Sequence, residues 1–510
     1  MIENKHVIYG SDASIVMSTL LNSFIRENYW NKYQLESYND FVKRRLPRII
    51  KSIGTIKPDI PELGDLKIVL GDIKIGEPSL RESDGSVRRI LPFEARLRDL
   101  TYSAPLFVEM TTVLGGIESE PVYVYFGELP VMVKSDICPL SKMSREELKM
   151  VHEDPDDPGG YFIINGAERI LVLVEEIASN KPVITKTNTA NALVSARINS
   201  EREGYITKHL IELKKNGIVT ITFSALHKFP VVILLKALGL EKDVDILNAI
   251  SDDPEVQEEF LINLYEYEVL TKEDAIDEIG KYLRIPQKRL RKQRAQNLID
   301  KYLLLHLGQS KKDRLKKAIF LAKIVERMIK VALDKQEEDD IDHYSNKRLR
   351  LAGDLLEILF RSVLLGRQGL INRISYNYQK LARRGRLPPL QAVVESNILT
   401  NQIVSAMAVG TWVGGRTGTC QILRKDNLNK SVSHMRYVHS PLKTTQEHFE
   451  ARELHPTHFG KLCVAETPEG ATIGLRKHLA LFAEITHGID DKTRKKVVKT
   501  ILDVAGIKGE

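Results

Sequence analysis

The chain has 510 residues, of which 43% are hydrophobic and 28% charged, with a formal net charge of +7. This composition suits several folded domains with cores of their own and excludes a disordered or collagen-like chain. Apolar runs such as 231–235 are far too short to span a bilayer, and residues 1–10 hold no apolar signal core. Cys138, Cys420 and Cys463 are far apart and form no C-x-x-C pair. That argues against a disulfide scaffold and against a zinc site built by this chain alone, and points to a reducing, cytoplasmic setting.

In chain order, residues 12–52 read as helical from the spacing of Ile15, Leu20, Leu21, Phe24 and Ile25. Residues 66–135 turn to alternating, β-branched runs and predict strands. Residues 154–176 predict a turn, a strand, an Asn165–Gly166 hairpin turn and a second strand. Glu175 and Glu176 read as strand-end surface. Strand-like runs continue through 204–240, and 241–335 becomes helical and highly charged. An acidic knot at 336–342 reads as a solvated turn, as do Asp154, Asp156 and Asp157. Helical patterning resumes over 350–370 and 390–408, and the last hundred residues are rich in loops. A β-rich, then α-rich, then loop-rich order predicts an α+β fold of several lobes.

Charge is unevenly spread. Residues 281–330 hold 16 Lys and Arg against 3 Asp and Glu. Such a stretch suits a polyanion such as nucleic acid, or forms a solvated helical face. Seven of the 13 histidines lie between His434 and His487. His455, His458 and Cys463 are the candidate metal ligands, but Pro456 interrupts the pair and no second pair follows at zinc-finger spacing. Imidazole-to-backbone hydrogen bonds bracing short loops are the reading preferred for them. The acidic segments do not match an EF-hand, and VGGRTGTC (413–420) does not match a dinucleotide or P-loop signature. What remains is arginine on Gly-flanked loops: Arg416, Arg436 and Arg452, whose forked donors suit phosphate oxygens.

Six segments then appear in a fixed order: EARLRDLTYSAPLFVE (94–109), GYFIINGAERILV (160–172), DHYSNKRLRLAGDLL (342–356), GGRTGTCQIL (414–423), SHMRYVHSPL (433–442) and ELHPTHFGKLCVAETPEGATIGL (453–475). Each resembles a signature segment of the second-largest subunit of cellular multisubunit RNA polymerase. The chain resembles the N-terminal half of that subunit as it occurs, split in two, in some archaea, where the half is called B-double-prime.

The resemblance implies a multidomain polymerase-subunit architecture. Residues 1–190 would be the first part of the protrusion, 191–330 the lobe, 331–411 the returning protrusion and 412–486 the fork. Residues 487–510 would begin a domain completed by the partner half, B′. It implies template-directed phosphoryl transfer with Mg²⁺ held by the largest subunit, here the halves A′ and A″, and contact with DNA template, nascent RNA and nucleoside triphosphates. By motif match, 409–421 and 442–451 would be the two fork loops. Arg416, Gln421, Arg436, Arg452 and Glu469 would lie near nucleic acid or nucleotide, with Glu469 either orienting a basic group or RNA end, or bracing its loop. A stand-alone nucleic-acid-binding scaffold and an independent metal-dependent phosphotransferase are the competing readings.

Overall fold

The structure, a computed structural model, describes residues 11–26, 30–58, 60, 65–82, 84–187, 191–202, 204–267, 269–366, 368–382, 388–445, 447, 449–485 and 491–505. His448, His487 and the expected border at 486/487 lie outside them. Helices and several separate sheets coexist, as an α+β chain requires. The chain divides into two compact units, one built from 1–174, 351–439 and 458–510, the other from 175–350 and 440–457.

In the first unit, helices Lys32–Asp40 and Leu46–Ile53 join through a π turn, Phe41–Arg45. Tyr38, Phe41, Leu46 and Ile49 are fully buried on one face of this run. Arg45 bonds Asp40 at 2.7 Å and also Asp354 of helix Ala352–Leu365, which fixes the two segments together. The long strand Ser103–Leu114 pairs antiparallel with Leu66–Ile75 and with Val122–Pro130. Its inward residues Ala104, Leu106, Val108 and Met110 are buried at period two, as a half-buried strand demands.

The Asn165–Gly166 turn forms as read. Asn165 has φ 49° and Gly166 φ 74°, the two left-handed positions of a tight hairpin, between strands Phe162–Ile164 and Ala167–Leu171. The outer edge of Ala167–Leu171 takes strand Cys420–Ile422, with Gln421 opposite Ile170. Strand Leu173–Ile177 pairs in parallel with Tyr437–His439 through Leu173 and Val174, and Tyr437–His439 pairs antiparallel with Arg476–His478. Residues 160–174 are thus the scaffold on which two loop-rich C-terminal segments are mounted.

The second unit is a five-stranded antiparallel meander in sequence order: Val183–Lys186, Ala192–Arg202, Tyr205–Lys214, Val219–Phe223 and Leu226–Pro230. Six helices follow, ending with Arg314–Ala332. The apolar run after Pro230 is not a strand but the helix Val231–Leu238, all eight residues of which are buried. A run that is apolar all round carries neither period, so only its packing decides between helix and strand.

Two surface readings are corrected here, and one is borne out in part. Glu175 is buried, ion-paired with Lys347 at 2.9 Å and accepting from the Tyr344 hydroxyl at 2.6 Å. The acidic knot is an irregular segment with Glu337, Glu338 and Asp340 exposed, as read, but it is also anchored: Asp339 pairs with Arg327 at 3.1 Å, Asp342 with Lys347 at 2.8 Å, and Glu338 accepts from the Lys186 amide at 2.7 Å. In the first unit, Asp157 accepts from the Tyr161 hydroxyl at 2.6 Å and lies 3.3 Å from Lys425. Some partners are near in sequence, such as Lys347 for Asp342 and Tyr161 for Asp157, and others far, such as Lys186 for Glu338 and Lys425 for Asp157, and none follows from a run of like charge read alone.

Candidate nucleic-acid interface

Helix Ser396–Val409 ends at Gly410, and the chain turns back through a short hairpin, Thr411–Trp412 against Arg416–Thr417. Trp412 anchors it: the indole is buried and its Nε1–H donates to the Leu355 carbonyl at 2.9 Å. Gly414 and Gly415 form the tip with φ of 82° and 73°, a conformation that side chains with a Cβ rarely take. Arg416 folds back, its Nη1 donating to the Val413 carbonyl at 2.8 Å.

Gln421 follows on the strand beside Ile170. Its Nε2 donates to the Gly418 carbonyl at 2.8 Å. Its Oε1 lies 3.1 Å from His434 Nε2, while His434 Nδ1 accepts the Arg424 backbone N–H at 3.2 Å. Because Nδ1 must accept from a backbone amide, the ring is neutral with its proton on Nε2, donated to Gln421. Burial pushes the His434 pKa down to about 4, and the nearby charges of Arg424, Lys430, His478 and Arg476 add to this. Both ends of the Gln421 amide are therefore fixed. His434 was not singled out from the sequence, and its 13-residue separation from Gln421 follows no periodic rule that could have found it.

Arg436 sits at the end of helix Leu428–Met435 and is 4% exposed. Its Nη2 donates to the carbonyls of Ala480, at 2.5 Å, and Leu481, at 3.0 Å, and its Nη1 to that of Trp30 at 3.3 Å. The adjacent Met435 carbonyl accepts from the Tyr33 hydroxyl at 2.6 Å. Burial lowers the Arg436 pKa from its ordinary value. The structure differs here from the expectation of a loop arginine facing phosphate: this guanidinium braces two backbone segments, at Trp30 and at Ala480–Leu481, from inside.

Glu469 is exposed and precedes the single turn Gly470–Thr472, whose amides its side chain does not cap. The bracing comes from its neighbours instead. Glu466 accepts from the Ser433 hydroxyl at 2.5 Å, and Thr467 Oγ1 accepts the Gly474 amide and donates to the Arg476 carbonyl, both at 2.9 Å. The first unit thus holds Arg416, Gln421, Arg436 and Glu469. Arg452 belongs to the second unit, at the end of the turn Phe449–Arg452, donating to the Thr444 carbonyl at 3.2 Å.

His455 places Nε2 2.8 Å from Asp340, and its Nδ1 accepts the Thr457 amide at 3.2 Å, which is loop bracing by imidazole. His458 is buried, and the Cys463 amide donates to the His478 carbonyl at 2.8 Å. Among the described residues no group of three or more His, Cys, Asp or Glu gathers as a metal site. No helix among them is long and apolar enough to cross a membrane.

The profile described as RNA polymerase beta subunit matches residues 30–401, and that described as RNA polymerase Rpb2, domain 3, matches residues 421–485. The chain belongs to the RNA polymerase beta subunit family. It is 42% identical over 496 residues to subunit Rpo2N of the DNA-directed RNA polymerase of Methanocaldococcus jannaschii, covering 95% of this chain and 98% of the relative. Against Rpo2N of Halobacterium salinarum it is 38% identical over 505 residues, covering 95% and 96%. Subunit Rpo2 of Saccharolobus solfataricus is 44% identical over 483 residues, 94% of this chain. The chain spans 42% of the length of that relative. Within the beta subunit family its similarity is thus end to end with Rpo2N, the N-terminal half of the split archaeal second-largest subunit. The second profile match includes Gln421, Arg436, Arg452 and Glu469, and the hairpin Thr411–Thr417 lies between the two matches.

Proposed function

We propose that this chain works as the N-terminal half of the second-largest subunit of a DNA-directed RNA polymerase in an archaeal cytoplasm. The observation that carries the reading is the end-to-end similarity to Rpo2N relatives, at 42% identity in the Methanocaldococcus jannaschii case. Residues 1–190 and 331–411 are assigned to the protrusion, 191–330 to the lobe and 412–486 to the fork. Its partners are B′, A′ and A″, and its ligands are template DNA, nascent RNA and nucleoside triphosphates.

In this reading an RNA 3′-hydroxyl attacks the α-phosphate of the incoming nucleotide, with charge stabilised by Mg²⁺ on the largest subunit. The described residues of this chain do not assemble a ligand set for that ion, and its own contribution is to hold and separate strands. The glycine tip lets backbone approach a sugar-phosphate chain closely. Arg416 and Arg452 supply forked donors for phosphate. Gln421, fixed at both ends of its amide, offers a rigid polar edge, and exposed Glu469 orients a basic group or the RNA end. Arg436 supports these loops from behind.

The helix Asp491–Val504 exposes Val497, Val498, Ile501 and Val504. Positions 497, 501 and 504 form one apolar row at helical spacing, assigned here to cover by the partner half.

The test is purification of the tagged chain from its host at moderate salt, with RNA synthesis assayed on a primed DNA template. A stoichiometric complex that extends RNA, with no extension by the separated chain, is expected. Recovery of the chain alone, or of a complex without synthesis, overturns the reading.

A further inference from the structure

The basic stretch 281–330 does not present its 16 cations uniformly. Many are held inside the second unit. Lys281 pairs with Asp277 and Glu278, Lys292 with Glu273, Arg314 with Asp300, and Lys323 and Lys330 with Glu326. Lys317 is buried, its ammonium donating to the carbonyls of Ile299 and Asp300.

Helix Lys288–Tyr302 is the exception. Ala295, Leu298 and Ile299 face inward. The outer face carries Lys288, Arg289, Gln293, Arg294, Asn297 and Lys301, all exposed. The four cations among them have no ion-pair or hydrogen-bond partner among the described residues. Arg289, Gln293, Asn297 and Lys301 recur every four positions, one ridge about 18 Å long at the rise of an α-helix. The only carboxylate in the helix, Asp300, is held by Arg314 at 2.7 Å. The ridge is therefore all hydrogen-bond donors and amides, with no negative charge of its own.

The placement also opposes helix stability. This helix has no acidic residue in its first turn and no side-chain cap, yet it begins with Lys288 and Arg289. Cations at the positive end of the macrodipole are unfavourable. Helices Asp243–Ile250, Pro254–Glu266 and Lys272–Tyr282 of the same unit all carry acidic residues in the first turn. Helix Arg314–Ala332 also lacks them, but there Arg314 is paired with Asp300 and Lys317 is buried on backbone carbonyls, whereas Lys288 and Arg289 are left open. Among the described residues of this helix Leu290 and Tyr302 are open, 38% and 47% exposed, but they stand at opposite ends of it and form no contiguous apolar patch of the kind protein partners use.

We infer that the outer face of helix Lys288–Tyr302 docks the phosphate backbone of duplex DNA without reading sequence. Lys288, Arg289, Arg294 and Lys301 neutralise phosphates, and Gln293 and Asn297 donate to phosphate or sugar oxygens. The inference rests on the polymerase reading and adds to it a specific surface and ligand.

The experiment compares assembled polymerase carrying the native chain with polymerase carrying K288Q/R289Q/R294Q/K301Q, measuring affinity for two unrelated DNA duplexes from low to high KCl. The slope of log affinity against log salt is expected to fall by about 0.9 for each lost phosphate contact, so by up to about 3.6, equally on both duplexes. The charge-conserving variant K288R/R289K/R294K/K301R is expected to keep the native slope, which separates lost charge from damaged folding. An unchanged slope in the neutralised variant overturns the inference. So does a loss confined to single strands, or loss of an acidic protein subunit from the complex with DNA affinity intact. If the native complex makes no RNA, it is the polymerase reading that fails instead.

Discussion

At the scale of residues, the candidate site separates side chains that face outward from those that hold the loops. Arg436 and Glu469 are opposite cases. Replacing Arg436 by Met leaves three carbonyls without their donor, at about 1–3 kcal/mol for each group that water cannot reach. The assembled polymerase carrying Arg436→Met is expected to inactivate at lower temperature. Glu469→Gln touches an exposed group with no partner among the described residues, so thermal inactivation is expected to stay within about 0.5 kcal/mol of native while primed RNA extension falls. Equal loss of heat stability in both variants contradicts this division.

His434 gives a pH signature. Its folded pKa is about 4, against roughly 6.5 for an unfolded histidine. Between those values the unfolded chain binds more protons, so stability rises with pH. The contribution is complete above about pH 6.5 and is lost as pH falls toward 4. His434→Gln can still accept from the Arg424 amide and donate to Gln421, but it does not titrate. It is expected to flatten the pH dependence of thermal inactivation across this window, whereas His434→Ala leaves Arg424 N–H and Gln421 Oε1 without their partner. An equally steep profile in the Gln variant rules the histidine out as its source.

At the scale of elements, most helices and strands were legible because their apolar residues repeat at 3.6 or 2. The Asn165–Gly166 hairpin was legible from two residues. The helix Val231–Leu238 was not, since seven of its eight residues are apolar and carry no single period, and only burial on all sides selects the helix. The helix Asp491–Val504 is the reverse case, with a clear apolar row and no cover from this chain among the described residues. Val497→Glu with Ile501→Glu is expected to lower recovery of the partner half at least several-fold in co-purification, at unchanged recovery of the chain itself. Full recovery of the partner half removes the row from that interface.

At the scale of the whole molecule, the buried pair of Glu175 and Lys347 ties together the two ends of segment 175–350 of the second unit, 172 residues apart in sequence. Burial would lower the Lys347 pKa, yet Glu175 and Asp342 hold it above its ordinary value. Lys347→Met strands Glu175 beside Tyr344, and a buried charge left unpaired costs about 3–5 kcal/mol. Partial proteolysis of the assembled polymerase is expected to cut within 175–350 in that variant first; native-like resistance contradicts the tie.

The sequence by itself determined the α+β character, the family through six ordered segments, and the turn chemistry at Asn165–Gly166 and the glycine tip. These depend on local periodicity and local backbone preference, which neighbours in sequence carry. Only the tertiary structure decided which charges remain open. It buried Arg436 on carbonyls from residues 30, 480 and 481, fixed Gln421 through His434, anchored the acidic knot and left the ridge of helix Lys288–Tyr302 unpaired. Whether a charge faces water or a partner depends on groups that the fold brings together, and no periodic pattern in the sequence records them.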